Sequence, residues 1–148
     1  MKYLLMLLAL MSAATASATS IVPMTLEQIV AEADLGVIAK IEAVDMVDGQ
    51  GQPVTDPAAC TGPGSDNQIR LHLVLDDVVF SRTGPVPVRV TVPLWQMWHH
   101  ELGEIQRQVG QKSIFLLKGQ KPTYYPAYHE DFQRPRSEGR KIRKLVGL

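Results

Sequence analysis

The chain has few of the residues and motifs that usually reveal a function. Among its 148 residues there is one cysteine, Cys60, so no intramolecular disulfide can form and the fold must rest on its hydrophobic core. G-x-S-x-G, a phosphate-binding glycine loop and H-E-x-x-H are all missing from the sequence. We therefore predict no catalytic residues and no cofactor, and we expect Cys60 to be an inert thiol rather than half of an intermolecular disulfide.

The first 18 residues have the composition of a secretory signal peptide. Lys2 precedes an apolar run over residues 3–11, and small residues follow. Among them, alanines two positions apart have the A-x-A spacing of a signal-peptide cleavage site. The run is about half of the ~20 residues that a transmembrane helix needs, and no later apolar stretch approaches that length. We therefore expect residues 19–148 to form one exported domain, periplasmic or secreted, that does not span a membrane.

Charge is distributed unevenly along a chain whose net charge is zero. Residues 19–77 carry two basic and ten acidic side chains, hence −8, whereas residues 78–148 carry twelve basic and five acidic ones, hence +7. Two such halves can interleave in one domain and neutralise each other, or the basic tail from Gln133 can contact an anionic envelope surface. We favour interleaved halves and a solvated tail.

A short amphipathic helix is predicted at the start of the expected domain, over residues 24–33. Thr25 and Gln28 have the spacing of a capping box, and Met24 and Ile29 are placed as the hydrophobic staple around it. The apolar residues of the segment recur at helical spacing, so one face of this helix should pack on a sheet.

Alternating apolar residues predict strands after this helix. Residues 35–44 form the first strand and residues 69–80 the second, and the alternation slips at Asp76-Asp77, which predicts a β-bulge. The remaining predicted elements are a strand with Val86, Val88, Val90, Val92 and Leu94 inward, strands at 112–119 and 123–129, and a short helix at 141–145.

The segment between the first two strands, residues 45–68, has the composition of a long loop. It holds four glycines and three prolines, and loops of about 20 residues in a compact domain are often functional. Five strands with bulges and one long loop favour a mainly β fold, specifically a small antiparallel barrel with a short N-terminal helix and a helical crossover.

Four segments follow one another in a recognisable order: ADLGVIAKIEAV, LHLVLDDVVFSRTG, VPVRVTVP and VGQKSIFLLKG. In type and order they resemble the netrin-like group of OB-type barrels, which includes the N-terminal domains of tissue inhibitors of metalloproteinases. The resemblance covers residues 33–119, is shared with uncharacterised exported bacterial proteins, and implies the fold alone. Protease inhibition is not implied, because the inhibitors' N-terminal cysteine and disulfides are missing and Ser81-Arg82 departs from the usual Lys-Gly after the aromatic residue.

The segment PLWQMWHHELGEIQRQ, residues 93–108, places two tryptophans and two histidines beside two glutamates. On a helix, His100 would reach Glu104 at i+4, and Trp95 would lie beside the apolar stripe, as an exposed tryptophan at a contact surface does. Gly103 leaves an irregular crossover open as an alternative to a regular helix. The stripe that predicts the helix consists of Leu94, Trp98, Leu102, Ile105 and Val109.

From these observations we expect an exported non-catalytic module that binds a protein or small-molecule ligand. The expected binding surface combines the 45–68 loop with Trp95, His99 and His100. Nucleic acid is not an expected partner, because the exposed residues of the first strands have mixed charge and lack stacking aromatics. The identity of the ligand and the oligomeric state stay open.

The alternative function is a metal-binding protein or a metal-dependent enzyme. Its ligands would be His99, His100 and Glu104, since histidine and carboxylate together can hold a metal ion. A zinc site needs three or four ligands, so His72 or His129 would have to come close in the fold.

Overall fold

The computed structural model describes residues 22–148, which form a six-stranded antiparallel sheet with three short α-helices. The predicted signal peptide lies outside the described residues. No helix in this part of the chain is long and apolar enough to cross a membrane. The elements are α1 Leu26–Glu32, β1 Leu35–Val47, β2 Gln68–Ser81, β3 Arg89–Pro93, α2 Leu102–Gln106, β4 Lys112–Gln120, β5 Thr123–Pro126, β6 Gln133–Arg134, a 3-10 turn Arg136–Glu138 and α3 Gly139–Leu145.

The sheet has the strand order β3-β2-β1-β4-β5, with β6 added to β4. Three register shifts interrupt the pairing of the two longest strands, β1 and β2. One of them leaves Asp76 without a partner between Leu75 and Asp77, which confirms the bulge predicted at this position. Because a bulge bends its strand and increases the local twist, these shifts curve the sheet around its core.

Both faces of the sheet are buried at β4. Phe115 and Leu117 join the larger core cluster, which includes the buried face of α2. Ile114 and Leu116 join a second cluster, which includes the buried faces of α1 and α3. A strand that is covered on both sides reads as an uninterrupted apolar run, and this explains the IFLL sequence.

Helix α1 is held at both of its ends. The predicted capping box is confirmed: Thr25 N donates to Gln28 Oε1 at 2.8 Å, and Gln28 N donates to Thr25 Oγ1 at 3.2 Å. Met24 packs against the cluster that contains Ile29, as predicted for the staple. At the other end the Arg82 guanidinium donates to three backbone carbonyls, so the residue that departs from the netrin-like pattern anchors this helix.

Strand β3 begins later than the alternation predicts. Val88 is 69% exposed, so its predicted inward position is wrong. Val86 is half-buried and packs against the larger core cluster, as predicted, but the regular alternation holds only from Val90 onward. Pro85 and Pro87 lack the N–H that a strand ladder requires, so the segment before Arg89 does not extend the sheet.

The helix predicted from the stripe in residues 94–109 is reduced to the five residues of α2. The core position predicted for Trp98 and Val109 is wrong: they are 36% and 46% exposed, whereas the other three members of the stripe are buried. The crossover between β3 and β4 is therefore mostly extended chain and turns, with one short helix. Several backbone groups of residues 96–103 bond to the 45–68 loop, as described below.

The structure is mainly β, as predicted, but it has six strands where five were predicted. The additional strand, β6, has two residues and is too short to produce a periodic pattern. Within residues 22–148 the end strands β3 and β5 share no ladder, so the sheet is not closed and the OB-type barrel stays a prediction. Helix α3 begins at Gly139, two residues before its predicted start.

The acidic first half and the basic second half of the chain interleave, as predicted. The ion pairs that join them are surface pairs, and each contributes little on its own, with a typical value of about 0–1 kcal/mol. Each of these pairs places an acidic side chain of the first half beside a basic side chain of the second half. The pairs are Glu27–Lys141, Glu32–Lys118, Glu42–Arg89, Asp76–Lys112 and Asp77–Arg143.

Candidate functional site

The long loop between β1 and β2 packs against the segment that carries the two tryptophans. Backbone hydrogen bonds join residues 57–62 of the loop to residues 96–103, and they use donors and acceptors that a continuous helix over 94–109 would need. This explains why that helix does not form. The bonds are Gly62 N to Gln96 O at 3.0 Å, Thr61 N to His100 O at 2.9 Å, Leu102 N to Ala59 O at 2.9 Å and Gly103 N to Pro57 O at 2.8 Å.

A buried threonine side chain fixes this contact. Thr61 is 3% exposed, and its hydroxyl donates to the Trp98 carbonyl at 2.7 Å and accepts from the His100 N–H at 3.2 Å. Both backbone groups are thereby satisfied away from water, which holds the 96–103 segment in one conformation. The two regions predicted to form a binding surface, the loop and the tryptophan segment, are thus one structural unit.

Four rings form an aromatic cluster at the edge of this unit: Trp95, Trp98, Tyr128 and His129. The His129 ring lies 4.4 Å from the Trp95 ring and 4.2 Å from the Tyr128 ring, measured between centroids. The two tryptophan rings are stacked with centroids 6.3 Å apart. Trp95 is 42% exposed, so the cluster presents aromatic surface to solvent.

A cleft of about 450 Å³ opens beside the aromatic cluster. It is lined by Gln68, residues 93–96 and residues 125–129. It therefore lies where the chain leaves the C-terminal ends of β3 and β5, the two end strands of the sheet. None of these lining residues is an aspartate, glutamate, lysine or arginine. A concave site of this volume with aromatic walls and few polar groups has the properties of a small-ligand site.

Gln68 and His129 are two of the polar side chains among the residues that line the cleft. The Gln68 side chain is held by its Nε2, which donates to Leu94 O at 2.6 Å and to Ile69 O at 2.9 Å. This leaves the Gln68 Oε1 as an acceptor. His129 Nε2 is shielded from solvent and has no hydrogen-bond partner within residues 22–148.

The three residues predicted to bind lie on different parts of this region. Trp95 lines the cleft, whereas His99 lies close to Gly62 of the loop, and neither His99 nor His100 lines the cleft. His100 is half-buried, and this burial lowers its pKa below the ordinary value; His99 adds to the lowering and Glu104 opposes it. The neutral imidazole is thus the form that the folded chain favours at this position.

The metal-binding alternative finds no complete set of ligands in the described part of the chain. No group of three or more histidine, cysteine, aspartate or glutamate side chains lies close enough to hold an ion there. Because residues 94–101 are not helical, the i+4 pairing of His100 with Glu104 is not formed, and the Glu104 carboxylate lies 3.6 Å from Arg107 instead. The expected additional ligands are also engaged elsewhere, His129 in the aromatic cluster and His72 on the sheet.

A hydroxyl, an imidazole and a carboxylate are connected on three adjacent strands. His72 Nδ1 lies 3.1 Å from Thr91 Oγ1, and His72 Nε2 lies 3.0 Å from Asp45 Oδ2. The connectivity is that of a nucleophile, a base and an orienting acid, but Asp45 is also bound by both nitrogens of the Arg70 fork, at 2.8 and 2.6 Å. This arginine holds the pKa of the Asp45 carboxyl below its usual range. The three groups lie outside the cleft, and we interpret them as a cross-strand network that stabilises the sheet.

Sequence reasoning missed half of the cleft. TYYPAYH was read only as a strand, although its aromatic residues include Tyr125 and Tyr128 and are followed by His129. The available signal is the density of rings on both sides of Pro126, the residue at which β5 ends, because side chains beyond a strand end are free to line a cleft. Gln68 gave no signal at all, since an isolated glutamine is common at the start of a strand.

Comparison with known proteins found no matching family model, no matching curated protein and no matching solved structure. The resemblance to the netrin-like group therefore stays a prediction.

Proposed function

We propose that the protein is an exported, non-catalytic binding module whose cleft beside Trp95 holds an uncharged ligand with a flat apolar face. The single observation that carries this proposal is the cleft of about 450 Å³ with the exposed Trp95 on its wall and no aspartate, glutamate, lysine or arginine among its lining residues. A concave site of this size with aromatic walls is typical of small-ligand binding.

The chemistry of the wall defines the class of ligand. A ring of a sugar or an aromatic compound can stack on Trp95 or on Tyr125, which is 52% exposed. A hydroxyl of the same ligand can donate to Gln68 Oε1, because the Gln68 side chain is held by the hydrogen bonds that its Nε2 donates. Because no aspartate, glutamate, lysine or arginine lines the cleft, no permanently charged side chain there offsets the desolvation of a charged ligand.

Export and the closed fold are parts of the same proposal. The N-terminal 18 residues support export through their signal-like pattern. A netrin-like, OB-type barrel is supported by the bulged strands β1 and β2 and by the proximity of β3 and β5, which have Cα atoms within 8 Å of each other.

N-terminal sequencing tests export. Protein recovered from the producing cell's envelope or medium should have its first residue close to Thr19, and a first residue at Met1 would remove export from the proposal.

Intrinsic fluorescence provides the direct test, because the chain's two tryptophans are both in the aromatic cluster. Phenyl glucoside, which combines a neutral sugar and an aromatic ring, should change the emission in a saturable way. Phenyl phosphate, which has the same ring with a charged group, should bind at least tenfold more weakly. Equal responses to both compounds, or no response to either, would contradict the proposal.

A matched pair of variants separates the cleft from the rest of the exposed surface. Trp95→Ala removes the stacking wall and should weaken binding measured by calorimetry by about tenfold or more, since the lost stacking of about 0.5–1.5 kcal/mol, roughly 2- to 13-fold in affinity, adds to the lost buried area. Met97→Ala removes an exposed apolar side chain that does not line the cleft and should leave binding unchanged. A similar loss in both variants would mean that the ligand does not occupy the cleft.

A further inference from the structure

A second groove, on the face that carries α3, collects positive charge. Its volume is about 710 Å³, and it lies apart from the aromatic cleft because the two share no lining residue. Five of the eight residues that line it are cationic: Arg136, Arg140, Lys141, Arg143 and Lys144. Such a concentration is unusual on this molecule, whose charged halves otherwise interleave.

Two of these five cations are neutralised by the fold itself. Lys141 lies 3.2 Å from a carboxylate oxygen of Glu27 on α1, and Arg143 lies 3.1 Å from Asp77 on β2. These pairs attach the two sides of α3 to the rest of the domain. Neither pair involves the cations on the exposed face of α3, which are therefore available to a partner outside the chain.

The other three cations have no carboxylate within 4 Å in residues 22–148. These residues, Arg136, Arg140 and Lys144, are exposed. Arg140 and Lys144 are one helical turn apart on α3, on the side opposite to the buried Ile142, and Arg136 lies in the turn that leads into the helix. The nearest acids to this group are already engaged, Asp76 by Lys112 at 2.6 Å and Glu138 by Arg134 at 2.8 Å.

Exposed leucines accompany the cationic residues. Leu145, the last residue of α3 and directly after Lys144 in the chain, is 39% exposed, and Leu148, three residues further on, is 74% exposed. A soluble polyanion would use the cations but gain nothing from the leucines. A lipid surface uses both, because the basic side chains meet headgroup phosphates while the apolar ones enter the acyl boundary.

We propose that this groove, with Arg136, Arg140, Lys144 and the adjacent Leu145 and Leu148, docks the protein peripherally on a membrane surface that contains anionic phospholipid. The interaction is weak and reversible, since few cations and two partly exposed leucines contribute to it. No residue lines both the docking groove and the aromatic cleft.

Sedimentation with lipid vesicles tests the proposal. The untagged protein should bind vesicles of mixed phosphatidylglycerol and phosphatidylcholine, bind poorly to phosphatidylcholine alone, and lose binding as salt is raised. Arg140→Gln with Lys144→Gln should weaken partitioning about fivefold per charge, hence roughly 25-fold. Arg107→Gln with Lys121→Gln removes the same net charge outside the groove and should change partitioning little.

The leucines distinguish a lipid surface from a soluble polyanion. Leu145→Ser with Leu148→Ser should weaken vesicle binding while leaving binding to soluble polyphosphate unchanged. Vesicle binding that is insensitive to this double change would overturn the lipid proposal in favour of a soluble polyanion. Equal losses in the two charge variants, or equal binding to neutral and anionic vesicles, would overturn the groove as the binding site.

Discussion

At the scale of single residues, His129 has the most unusual environment in the described chain. Its ring lies between Trp95 and Tyr128, with centroid distances of 4.4 and 4.2 Å, and its Nε2 is buried without a partner within residues 22–148. A group that serves only stability would be expected to be apolar here, because an unsatisfied polar atom lowers the free energy of unfolding. The histidine therefore suggests a function rather than a packing role.

Replacement of this histidine by an apolar ring separates the two roles. His129→Phe should leave the free energy of unfolding unchanged or raise it by about 1 kcal/mol, because it removes an unsatisfied nitrogen from a buried site. The same change should weaken binding of phenyl glucoside at least fivefold. Urea denaturation and calorimetry measure the two effects, and a clear loss of stability with intact binding would show that the ring serves the fold alone.

His100 makes stability depend on pH through burial. Its pKa in the folded chain is lowered, chiefly by desolvation, whereas in the unfolded chain it has the ordinary value of about 6.5. The unfolded chain therefore takes up a proton first as pH falls, so the folded state loses stability from about pH 6.5 downward and keeps it above.

His100→Gln should remove this contribution. Between pH 7 and pH 5 the free energy of unfolding should fall less steeply in the variant than in the unchanged protein, as measured by urea denaturation at each pH. Parallel curves over this range would show that His100 does not titrate differently in the two states.

The residues of the site differ in how well the sequence indicated them. Trp95 was predicted as an exposed contact residue because it falls outside a local apolar pattern, and the structure places it on the cleft. His129 and Gln68 reach the same cleft from 34 and 27 positions away along the chain, respectively. Such proximity depends on the order of strands in the sheet, and no local pattern encodes it.

At the scale of elements, the joint between the loop and the crossover is the structure that positions the aromatic cluster. The 57–62 part of the loop bonds to the backbone of the 96–103 segment, and Thr61 contributes its side chain to the same joint. The local apolar spacing predicted a helix through this segment, but it could not predict that hydrogen bonds to a distant loop would replace the helical ones. The cleft thus depends on a contact between two irregular segments.

Thr61→Val tests that joint, because valine keeps the shape of threonine and removes the hydroxyl. The Trp98 carbonyl and the His100 N–H would each lose a partner, so the free energy of unfolding should fall by about 1–3 kcal/mol. Thr55→Val, in the exposed part of the same loop, should change it by less than about 0.5 kcal/mol. Equal effects of the two variants in urea denaturation would show that the hydroxyl does not hold the loop.

Regular elements were predicted well where local chemistry alone determines them. The capping box at Thr25 and Gln28, the β-bulge at Asp76 and strand β4 all follow from short-range patterns, and the structure contains each of them. Strand β3 was predicted too long, because the valine alternation continues through prolines that cannot join a ladder. Periodicity reports which residues are apolar, whereas pairing also requires free backbone donors.

At the scale of the whole molecule, the fold brings together three segments that are remote in the chain and that line the cleft: Gln68, residues 93–96 and residues 125–129. The curved sheet places the ends of β3 and β5 beside each other, and the cleft lies where these strands diverge. The same arrangement interleaves the charged halves but leaves three cations on the face of α3 without an ion pair to any of residues 22–148. Two surfaces result, one aromatic and without aspartate, glutamate, lysine or arginine, the other cationic, and they share no lining residue.

The central claim is that the cleft beside Trp95 and His129 binds an uncharged ligand, and NMR of ¹⁵N-labelled protein titrated with phenyl glucoside tests it most directly. We predict saturable shifts in the backbone amides of residues 94–96 and 127–129 and in the indole N–H signal of Trp95, with little change on α3. Shifts centred elsewhere, or none at millimolar ligand, would contradict the account.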